Sequence, residues 1–288
     1  MSWAEPGVGA VATQSMVEPA YGPRGLGQLR RGASAPDALR RLLGDDEQAE
    51  VRQVAIVDKH GRVAVHTGPR CIREAGHRVA DGVSAQASMM ERPTVPDAMV
   101  DAFRSSDAGF AGRLLAALEA AEHEGGDIRG RQSAAMVVVA PRATGQPMED
   151  RPVDLRVDDH PDPVAELRRL LGLSSSYARV EVGDELAAAE YSASAPSKSP
   201  AAHAEQPDNA ELAFWHGVTL AANGREPEAR ELLERAYAER EGWRELLRRL
   251  PEAGLFPDDP ALMDRMTSGG ERARPPAEDW PRSAPPTG

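Results

Sequence analysis

Residues 53–67, QVAIVDKHGRVAVHT, decide the fold. Two runs rich in valine, 53–58 and 62–67, flank the short polar turn Lys59-His60-Gly61. Valine and isoleucine favour strands, and a glycine allows the positive φ that a tight turn between strands needs. This stretch therefore predicts a β-hairpin, and the neighbouring segments extend it in both directions.

Upstream of the hairpin, the sequence predicts one strand and two helices. Residues 7–14, GVGAVATQ, are small and apolar with no helical stripe, which favours a buried strand. A short helix is expected over 23–31. A second helix is expected after Ser34, whose hydroxyl can cap it, because Pro36 and the acidic Asp37 suit a first turn.

Downstream, strands and helices continue to alternate. Apolar periodicity predicts helices over 95–104 and 110–124, a doubly covered strand over 133–140, and an alternating strand over 153–157. Pro163 then opens a helix to residue 171, with Asp162 as its cap. Strands and helices that interleave in this way predict an α+β layered domain.

The remaining residues predict a domain boundary and a small helical segment. We expect a main domain over 1–177, a linker over 178–207 rich in Ala, Ser and Pro, a helical segment over 208–266, and a disordered tail over 267–288. Two predicted helices, 209–222 and 226–238, resemble a tetratricopeptide-type pair. A single such pair cannot bury both faces, so it must dock on the main domain, on the neighbouring helix 243–250, or on another subunit.

Composition and charge exclude several classes of protein. The formal net charge is −12, so a generic nucleic-acid partner is not expected. No apolar run reaches the roughly 18–20 residues that cross a bilayer, so no membrane partner is expected either. Cys71 is the only cysteine, which rules out an intramolecular disulfide and a cysteine-based zinc site. With no signal-peptide pattern at the start, these features predict a cytoplasmic protein.

Four segments carry a resemblance to a known bacterial family. They are GVGAVATQ at 7–14, GHRV at 76–79, GGDIRGRQSAA at 125–135 and VDLRVDDHPDP at 153–163. In this order and spacing the chain resembles the domain-of-unknown-function 1028 family, placed in the Ntn-hydrolase superfamily, over residues 5–172. The resemblance implies an αββα sandwich, in which two stacked antiparallel sheets are covered by helices outside.

The resemblance also implies a chemistry. In the superfamily a Thr, Ser or Cys at the mature amino terminus attacks an amide, and its own α-amine, which titrates near pH 8, serves as the general base. Members of the family run further upstream of 7–14, and that upstream stretch includes the first strand with the nucleophile. We therefore expect the first strand to be missing and the chain as written to be inactive. Ser2 is a poor substitute, since it should lie in the second strand.

Other positions depart from the pattern that the family leads us to expect. Ala87-Ser88 stand where Gly-Asn is usual, Glu74 where Trp is frequent, and Glu18 where Asn is frequent. An asparagine amide could donate to a developing oxyanion, and serine is a shorter replacement. Together these departures indicate a diverged or inactive member.

Three residues are the catalytic candidates that the sequence offers: Arg131, Asp158 and His160. Asp158-Asp159-His160 places two carboxylates beside an imidazole at a strand end, where a His–Asp pair can relay a proton, although the same residues suit a polar turn. Arg131 and Arg129 flank Gly130 and could clamp a carboxylate or simply pair with nearby acids. His66 and His77 have no third ligand at metal spacing, so no metal or other cofactor is expected.

Three hypotheses for function remain open. The first is an amidohydrolase that acts on a small-molecule amide in its complete form. The alternative is a non-catalytic interaction or scaffold protein that acts through its C-terminal helices, with a homodimer as one form. A third hypothesis, a fragment that does not fold alone, predicts insoluble material.

Overall fold

A computed structural model describes residues 1–190 and 207–268. The chain divides into two compact units, one formed by Met1–Ser174 and the other beginning at Ser175. The first combines antiparallel sheets with helices and the second is helical, so the predicted α+β class with a helical C-terminal segment is confirmed.

The first unit is built on a four-stranded antiparallel sheet whose strands follow in chain order: β1 (Ser2–Glu5), β2 (Gly9–Ser15), β3 (Arg52–Asp58) and β4 (Val63–Thr67). The hairpin predicted from 53–67 is β3–β4. Strand β1 was not predicted from its local pattern, although the resemblance led us to expect Ser2 in a strand, and it pairs along β2 with Ser2 opposite Ala12. The strand expected over 7–14 begins at Gly9, because Gly7 adopts a φ of 68° in the turn from β1.

Two helices, α1 (Tyr21–Arg30) and α2 (Ala35–Gly44), cover one face of this sheet. Val11, Val54 and Ile56 point toward them and are buried against apolar residues of both helices. Because side chains alternate along a strand, Ala10, Ala12, Ala55 and Val57 point to the other face. That second face is the one that meets the remaining strands.

The amino-terminal cap of α2 is as predicted. Ser34 has extended backbone angles, and its hydroxyl oxygen accepts a hydrogen bond from the Asp37 amide at 3.2 Å. We expect Ser34→Ala to lower the free energy of unfolding by about 1 kcal/mol, because the first turn loses that acceptor. Urea unfolding measures the loss. Ser34→Asn keeps an acceptor and should retain most of the stability, and equal losses in the two variants would show that the cap is unimportant.

Two further hairpins lie over the second face: β5 (Gly76–Ala80) with β6 (Val83–Ala87), and β7 (Ala134–Val138) with β8 (Val153–Val157). Strands β7 and β8 were predicted, whereas β5 and β6 were not. The β5–β6 turn is Asp81-Gly82, and Gly82 takes the positive φ of 67° that it requires. The side chain of Gln53 in β3 donates hydrogen bonds to the carbonyls of Gly76 and Ala87, the first and last residues of this hairpin, and so holds it on the sheet.

Helices cover the outside of the hairpins. Helix α3 (Val95–Ser105) packs on β5–β6, and α4 (Phe110–His123) packs on β7–β8 together with α6 (Pro163–Glu190). A short helix, α5 (Pro147–Asp150), lies between β7 and β8. The layers of the first unit therefore follow as helices, sheet, hairpins and helices, and its assignment to the Ntn-hydrolase sandwich stays a prediction.

Helix α6 is longer than predicted, because it continues to Glu190 instead of ending at 171. No proline occurs between Pro163 and Pro196 to stop it. The helix thus enters the segment expected as a linker. Residues 191–206 of that linker, and all but the first two residues of the predicted tail over 267–288, lie outside the described residues.

Within residues 207–268, the described part of the second unit beyond α6 forms the helices α7 (Ala210–Ala222), α8 (Glu226–Glu239), α9 (Gly242–Arg249) and α10 (Pro260–Thr267). The first three were predicted, with Gly224 at positive φ between α7 and α8. Phe214, Leu233, Leu247 and Met266, one from each helix, are buried in a common core. The α7–α8 pair therefore buries its inner face against α9 and α10, and the tetratricopeptide resemblance stays a prediction.

Candidate functional site

An opening in the first unit lies between β6 and β7, and we call it the strand slot. Among the residues that the structure describes, β6 pairs only with β5 and β7 only with β8. A cavity of about 440 Å³ lies on the sheet side of the gap, and one of about 230 Å³ lies on the helix side. Both cavities are lined by residues of β6 and β7. The gap between these two strands is therefore open on the sheet side and on the helix side.

The floor and the roof of the strand slot are apolar. Small side chains of the sheet, among them Ala12 and Ala55, form the floor. Phe103 of α3 and Leu114 of α4 line both cavities, and Val100 lines the one beneath the helices. A segment that fills this space must be apolar on both faces, because a charged side chain there would lose its hydration without gaining a partner.

One end of the strand slot is closed by backbone hydrogen bonds. The Ile128 amide donates to the Met89 carbonyl at 3.0 Å, and the Glu91 amide donates to the Gly126 carbonyl at 2.9 Å. These residues surround an antiparallel bridge between Met90 and Asp127. We call residues 89–91 and 126–128 the closed end. The chain runs along β6 toward the closed end and along β7 away from it. The strands β6 and β7 therefore have opposite chain directions.

A buried glutamine next to the closed end organises the surrounding strands. The Gln53 side chain is fully buried, and its Nε2 donates to the carbonyls of Gly76 and Ala87, each at 3.0 Å. Nε2 also lies 2.9 Å from the Thr67 hydroxyl, and Oε1 accepts from the Gln14 amide at 2.5 Å. A polar residue in an otherwise apolar strand was the sequence signal for this role, and it was missed.

The β6 edge presents polar groups to the strand slot. Ala80 and Val83 pair directly beside the two-residue turn, and such a pair exchanges both hydrogen bonds. By alternation, the amides and carbonyls of Ser84 and Gln86 point away from β5, toward the slot. The Gln86 side chain lines the larger cavity, and its buried Nε2 has no hydrogen-bond partner in the described part of the chain. A buried donor in this state costs stability until an acceptor reaches it.

The structure brings two of the predicted candidates, Arg131 and His160, to one small cluster. The guanidinium of Arg131 pairs with Glu122 and lies 3.7 Å from the Asp162 carboxylate. The His160 amide donates to the Gln132 carbonyl at 2.9 Å, and its Nδ1 accepts from the Asp162 amide at 3.0 Å. Both side chains are exposed, and both keep groups available to an additional ligand.

Asp158 does not join that cluster, because its carboxylate accepts a hydrogen bond from Arg156 at 2.7 Å. Arg131, Asp158 and His160 nevertheless lie at the same end of the β7–β8 hairpin, since Ala134 pairs with Val157. A short stretch of chain, residues 129–133, connects this end of the β7–β8 hairpin to the closed end of the strand slot. The three residues therefore remain candidates, and a direct Asp158–His160 pair is not formed.

Arg129 is engaged locally. Its guanidinium makes two hydrogen bonds to the Asp127 carboxylate, at 3.0 and 2.6 Å. The hydrogen bonds from Arg129 hold the pKa of Asp127 below its usual range. This geometry favours the structural interpretation of Arg129 over a substrate clamp.

The amino terminus lies next to β2. Ser2 pairs with Ala12, so its side chain shares the face of the sheet that floors the strand slot. The Met1 ammonium donates to the Thr13 carbonyl at 2.8 Å, and burial lowers the pKa of this α-amine. The Thr13 amide donates in return to the Met1 carbonyl at 2.9 Å. Removal of Met1 would break both bonds.

The remaining candidate ligands are engaged elsewhere. Nε2 of His66 bonds to the Ala49 carbonyl at 2.8 Å, and Nδ1 of His77 bonds to the Thr67 hydroxyl at 2.8 Å. Cys71 donates to the Arg52 carbonyl at 3.3 Å. Across the described ranges 1–190 and 207–268, no three His, Cys, Asp or Glu side chains are grouped so as to hold a metal ion. The helices of those same ranges include none long and apolar enough to cross a bilayer.

A partly buried ion pair beside the sheet predicts acid sensitivity. The Arg52 guanidinium donates to Asp46 at 2.8 Å and, aided by an amide and the Tyr21 hydroxyl, lowers the pKa of Asp46 to about 2. The folded-state pKa of this carboxyl lies below its unfolded-state pKa, which is near 4. The ionised carboxylate therefore stabilises the fold above about pH 4, and this stabilisation is lost as the pH falls toward 2. We expect urea unfolding of Asp46→Asn to depend less on pH between about 6 and 2.5 than that of the parent. Parallel pH profiles would contradict this assignment.

Known proteins resemble the first unit. A sequence profile described as a family of unknown function, DUF1028, matches residues 1–167. The crystal structure of protein SPO2555 from Silicibacter pomeroyi, also of DUF1028, is similar with a TM-score of 0.51 and 34% sequence identity. The match covers 57% of this chain and 71% of that one. No protein of curated function matches this chain.

Proposed function

Because this chain belongs to the DUF1028 family, we propose that it forms the scaffold of an amide hydrolase whose nucleophile enters on a further strand in the strand slot. The observation that carries the proposal is the slot itself. It has a strand edge on either side, an apolar floor and an apolar roof. The Ntn-hydrolase assignment comes from the resemblance of the motifs, and the layer order is compatible with it.

The proposed reaction needs an amino-terminal Thr, Ser or Cys. Its oxygen or sulfur would bond to the carbonyl carbon of a small amide, while its α-amine takes the side-chain proton. The carbon–nitrogen bond would then break, the departing amine taking that proton, and water would hydrolyse the ester or thioester to restore the nucleophile. In the described residues, Ser88 and the neighbouring amides would face the oxyanion, and Arg131 and His160 would orient the substrate.

Residues 1–288 alone are expected to lack amidase activity. Ser2 is a poor nucleophile here, because exposing its amine would cost the two hydrogen bonds between Met1 and Thr13. The test compares three proteins against a panel of small amides: residues 1–288, the protein from its native host, and that protein with its terminal nucleophile changed to alanine. Only the unaltered native protein should hydrolyse an amide. Equal activity in the alanine variant would contradict the mechanism.

The interaction-protein alternative has less support from the second unit. The predicted helix pair already buries its inner face within the core of that unit. A homodimer remains a proposal, and sedimentation of the native protein measures it directly. A stable dimer with no hydrolysis of any amide in the panel would favour the scaffold function over the enzyme.

A further inference from the structure

We infer that the free edge of β8 pairs with the same edge of a second copy of this chain, so that two β7–β8 hairpins join into one four-stranded antiparallel sheet. The inference does not depend on the proposed hydrolase reaction. It names the surface of a homodimer, and it rests on the direction of the backbone groups, the order of charges along the strand and its half-buried apolar side chains.

The outer edge of β8 has no neighbouring strand. Within residues 1–190 and 207–268, β8 pairs with β7 alone, and its residues make no backbone hydrogen bond to any other segment. A strand edge in this state is a template on which another chain can pair.

The alternation of hydrogen bonds along β7 and β8 shows which groups this edge presents. In an antiparallel pair, alternate residues exchange both bonds with the neighbouring strand. Just beyond the two ends of β7, the Gln132 carbonyl and the Ala140 amide both make a hydrogen bond on the β8 side. In steps of two from either residue, the even-numbered residues of β7 bond to the odd-numbered residues of β8. The amides and carbonyls of Asp154 and Arg156 therefore point away from β7, toward the free edge.

The order of charges along β8 favours one register of self-pairing. The strand reads Val-Asp-Leu-Arg-Val, so an antiparallel copy centred on Leu155 places Asp154 opposite Arg156 of the second copy. By symmetry, Arg156 lies opposite Asp154 of that copy. A shift by two residues would instead place two aspartates or two arginines opposite each other, and like charges in directly opposite positions destabilise a sheet. A shift by one residue would turn the apolar Leu155 to the charged face.

The two charged side chains can change partners at little cost. Within one copy, Asp154 pairs with Arg151 and Arg156 pairs with Asp158. All four side chains are exposed. Exposed ion pairs contribute little to stability, so exchanging them for pairs between two copies does not oppose association.

The other face of β8 is apolar and also gains from this pairing. Val153 and Leu155 belong to the face that α4 and α6 cover, yet both are only partly buried. In the inferred register Leu155 meets Leu155 of the second copy, and Val153 meets Val157. The apolar cores of the two β7–β8 hairpins then become continuous, and these side chains lose the water that the free edge leaves on them.

The other free edges lack this complementarity. Strand β5 has the exposed residues His77 and Arg78 and no acidic residue, and β1 has Glu5 and no basic residue. Among the edge strands of the described sheets, β8 is the one whose sequence contains both an acid and a base. Opposite charges on one face and apolar side chains on the other make this edge complementary to itself.

The same register has a consequence for the candidate cluster. Continued to the residues that flank the strand, it places Arg151 of one copy opposite Asp159 of the other, and both residues are exposed. Asp159 directly precedes His160. The second copy would therefore bring a guanidinium next to the cluster of Arg131 and His160.

Charge reversal tests the inference. Asp154→Arg and Arg156→Asp each place like charges opposite one another at two symmetric positions, and the double variant restores opposite charges with their places exchanged. At about 50 µM, where even a modest interface is largely occupied, we expect residues 1–288 to sediment with twice the chain mass of 30.9 kDa. Each single variant should weaken the dimer by at least about tenfold, and the double variant should return to within about threefold of the parent.

Arg40→Asp is the matched control. It also reverses an exposed arginine that pairs with a nearby acid, but it lies in α2, on the far side of the four-stranded sheet. This variant should dimerise like the parent. Circular dichroism should show the same secondary structure for all the variants, since each altered side chain is exposed.

Three results would overturn the inference. A parent protein that sediments as a monomer at this concentration has no such interface. A dimer that both single variants leave unchanged would lie elsewhere, for example at the edges of the strand slot. A double variant that stays as weak as the single variants would show that Asp154 and Arg156 do not face each other across the dimer.

Discussion

Replacing Gln53 by leucine is expected to lower the free energy of unfolding of the first unit by about 3 kcal/mol. Leucine has a similar volume but cannot donate to the Gly76 and Ala87 carbonyls, nor accept from Gln14. Buried polar groups left without partners each cost about 1–3 kcal/mol. The midpoint of thermal unfolding should fall by roughly 6–12 °C for a unit of this size.

Gln14→Leu is the matched control for this variant. It removes the hydrogen bond to Gln53 from a side chain that is only partly buried, and it leaves both carbonyl contacts in place. Thermal and urea unfolding of the two variants should differ by about 2 kcal/mol. If Gln53→Leu is no less stable than Gln14→Leu, the glutamine does not hold the β5–β6 hairpin on the sheet.

If the proposed function holds, replacing Ala12 by leucine is expected to have opposite effects in residues 1–288 and in a protein that carries a further strand in the strand slot. Ala12 lies on the floor of the strand slot. In residues 1–288 the larger side chain fills open apolar space, so stability should rise by about 0.5–1 kcal/mol. In a protein with the further strand, the same side chain would collide with that strand, at a cost of about 1–3 kcal/mol.

Unfolding measurements and amidase assays on the same variant separate these effects. We expect amidase activity of the protein with the further strand to fall tenfold or more, because displacement of that strand moves the nucleophile. Ala12→Ser adds one small atom and serves as the control, with little change in either protein. Stabilisation of both proteins by leucine would show that the space stays empty.

The elements predicted from the sequence are those with strong local signals. Hairpin β3–β4 has two valine-rich runs around a glycine turn, and α2 has the Ser34 cap with Pro36 at its start. Strands β7 and β8 are apolar enough to be recognised alone. In each case the pattern of side chains within one segment determines the local structure, so no distant contact is needed to identify it.

Strands β5 and β6 could not be predicted in that way. Their sequence, GHRVADGVSAQA, has His77 and Arg78 exposed on one strand and no apolar alternation. They are strands because Gln53 binds both ends of the hairpin and α3 covers it. Strand β1 is equally inconspicuous in the sequence, since its four residues become a strand only by pairing along β2.

The candidate site was predicted in part. The resemblance drew attention to the segments at 125–135 and 153–163, and the structure places Arg131 and His160 of these segments around Asp162. The strand slot could not be seen in the sequence, because it is a property of two facing edges that no single segment contains. The expectation of a missing strand came from the resemblance.

The most direct measurement is the intact mass and amino-terminal sequence of the protein isolated from its native host. If the proposed function is correct, we expect a mass above the 30.9 kDa of residues 1–288 and a terminal Thr, Ser or Cys upstream of Met1. A mass equal to that of this chain, with Met1 or Ser2 at its start, would contradict it. The strand slot would then receive no further strand from its own chain, and the hydrolase function would have no nucleophile.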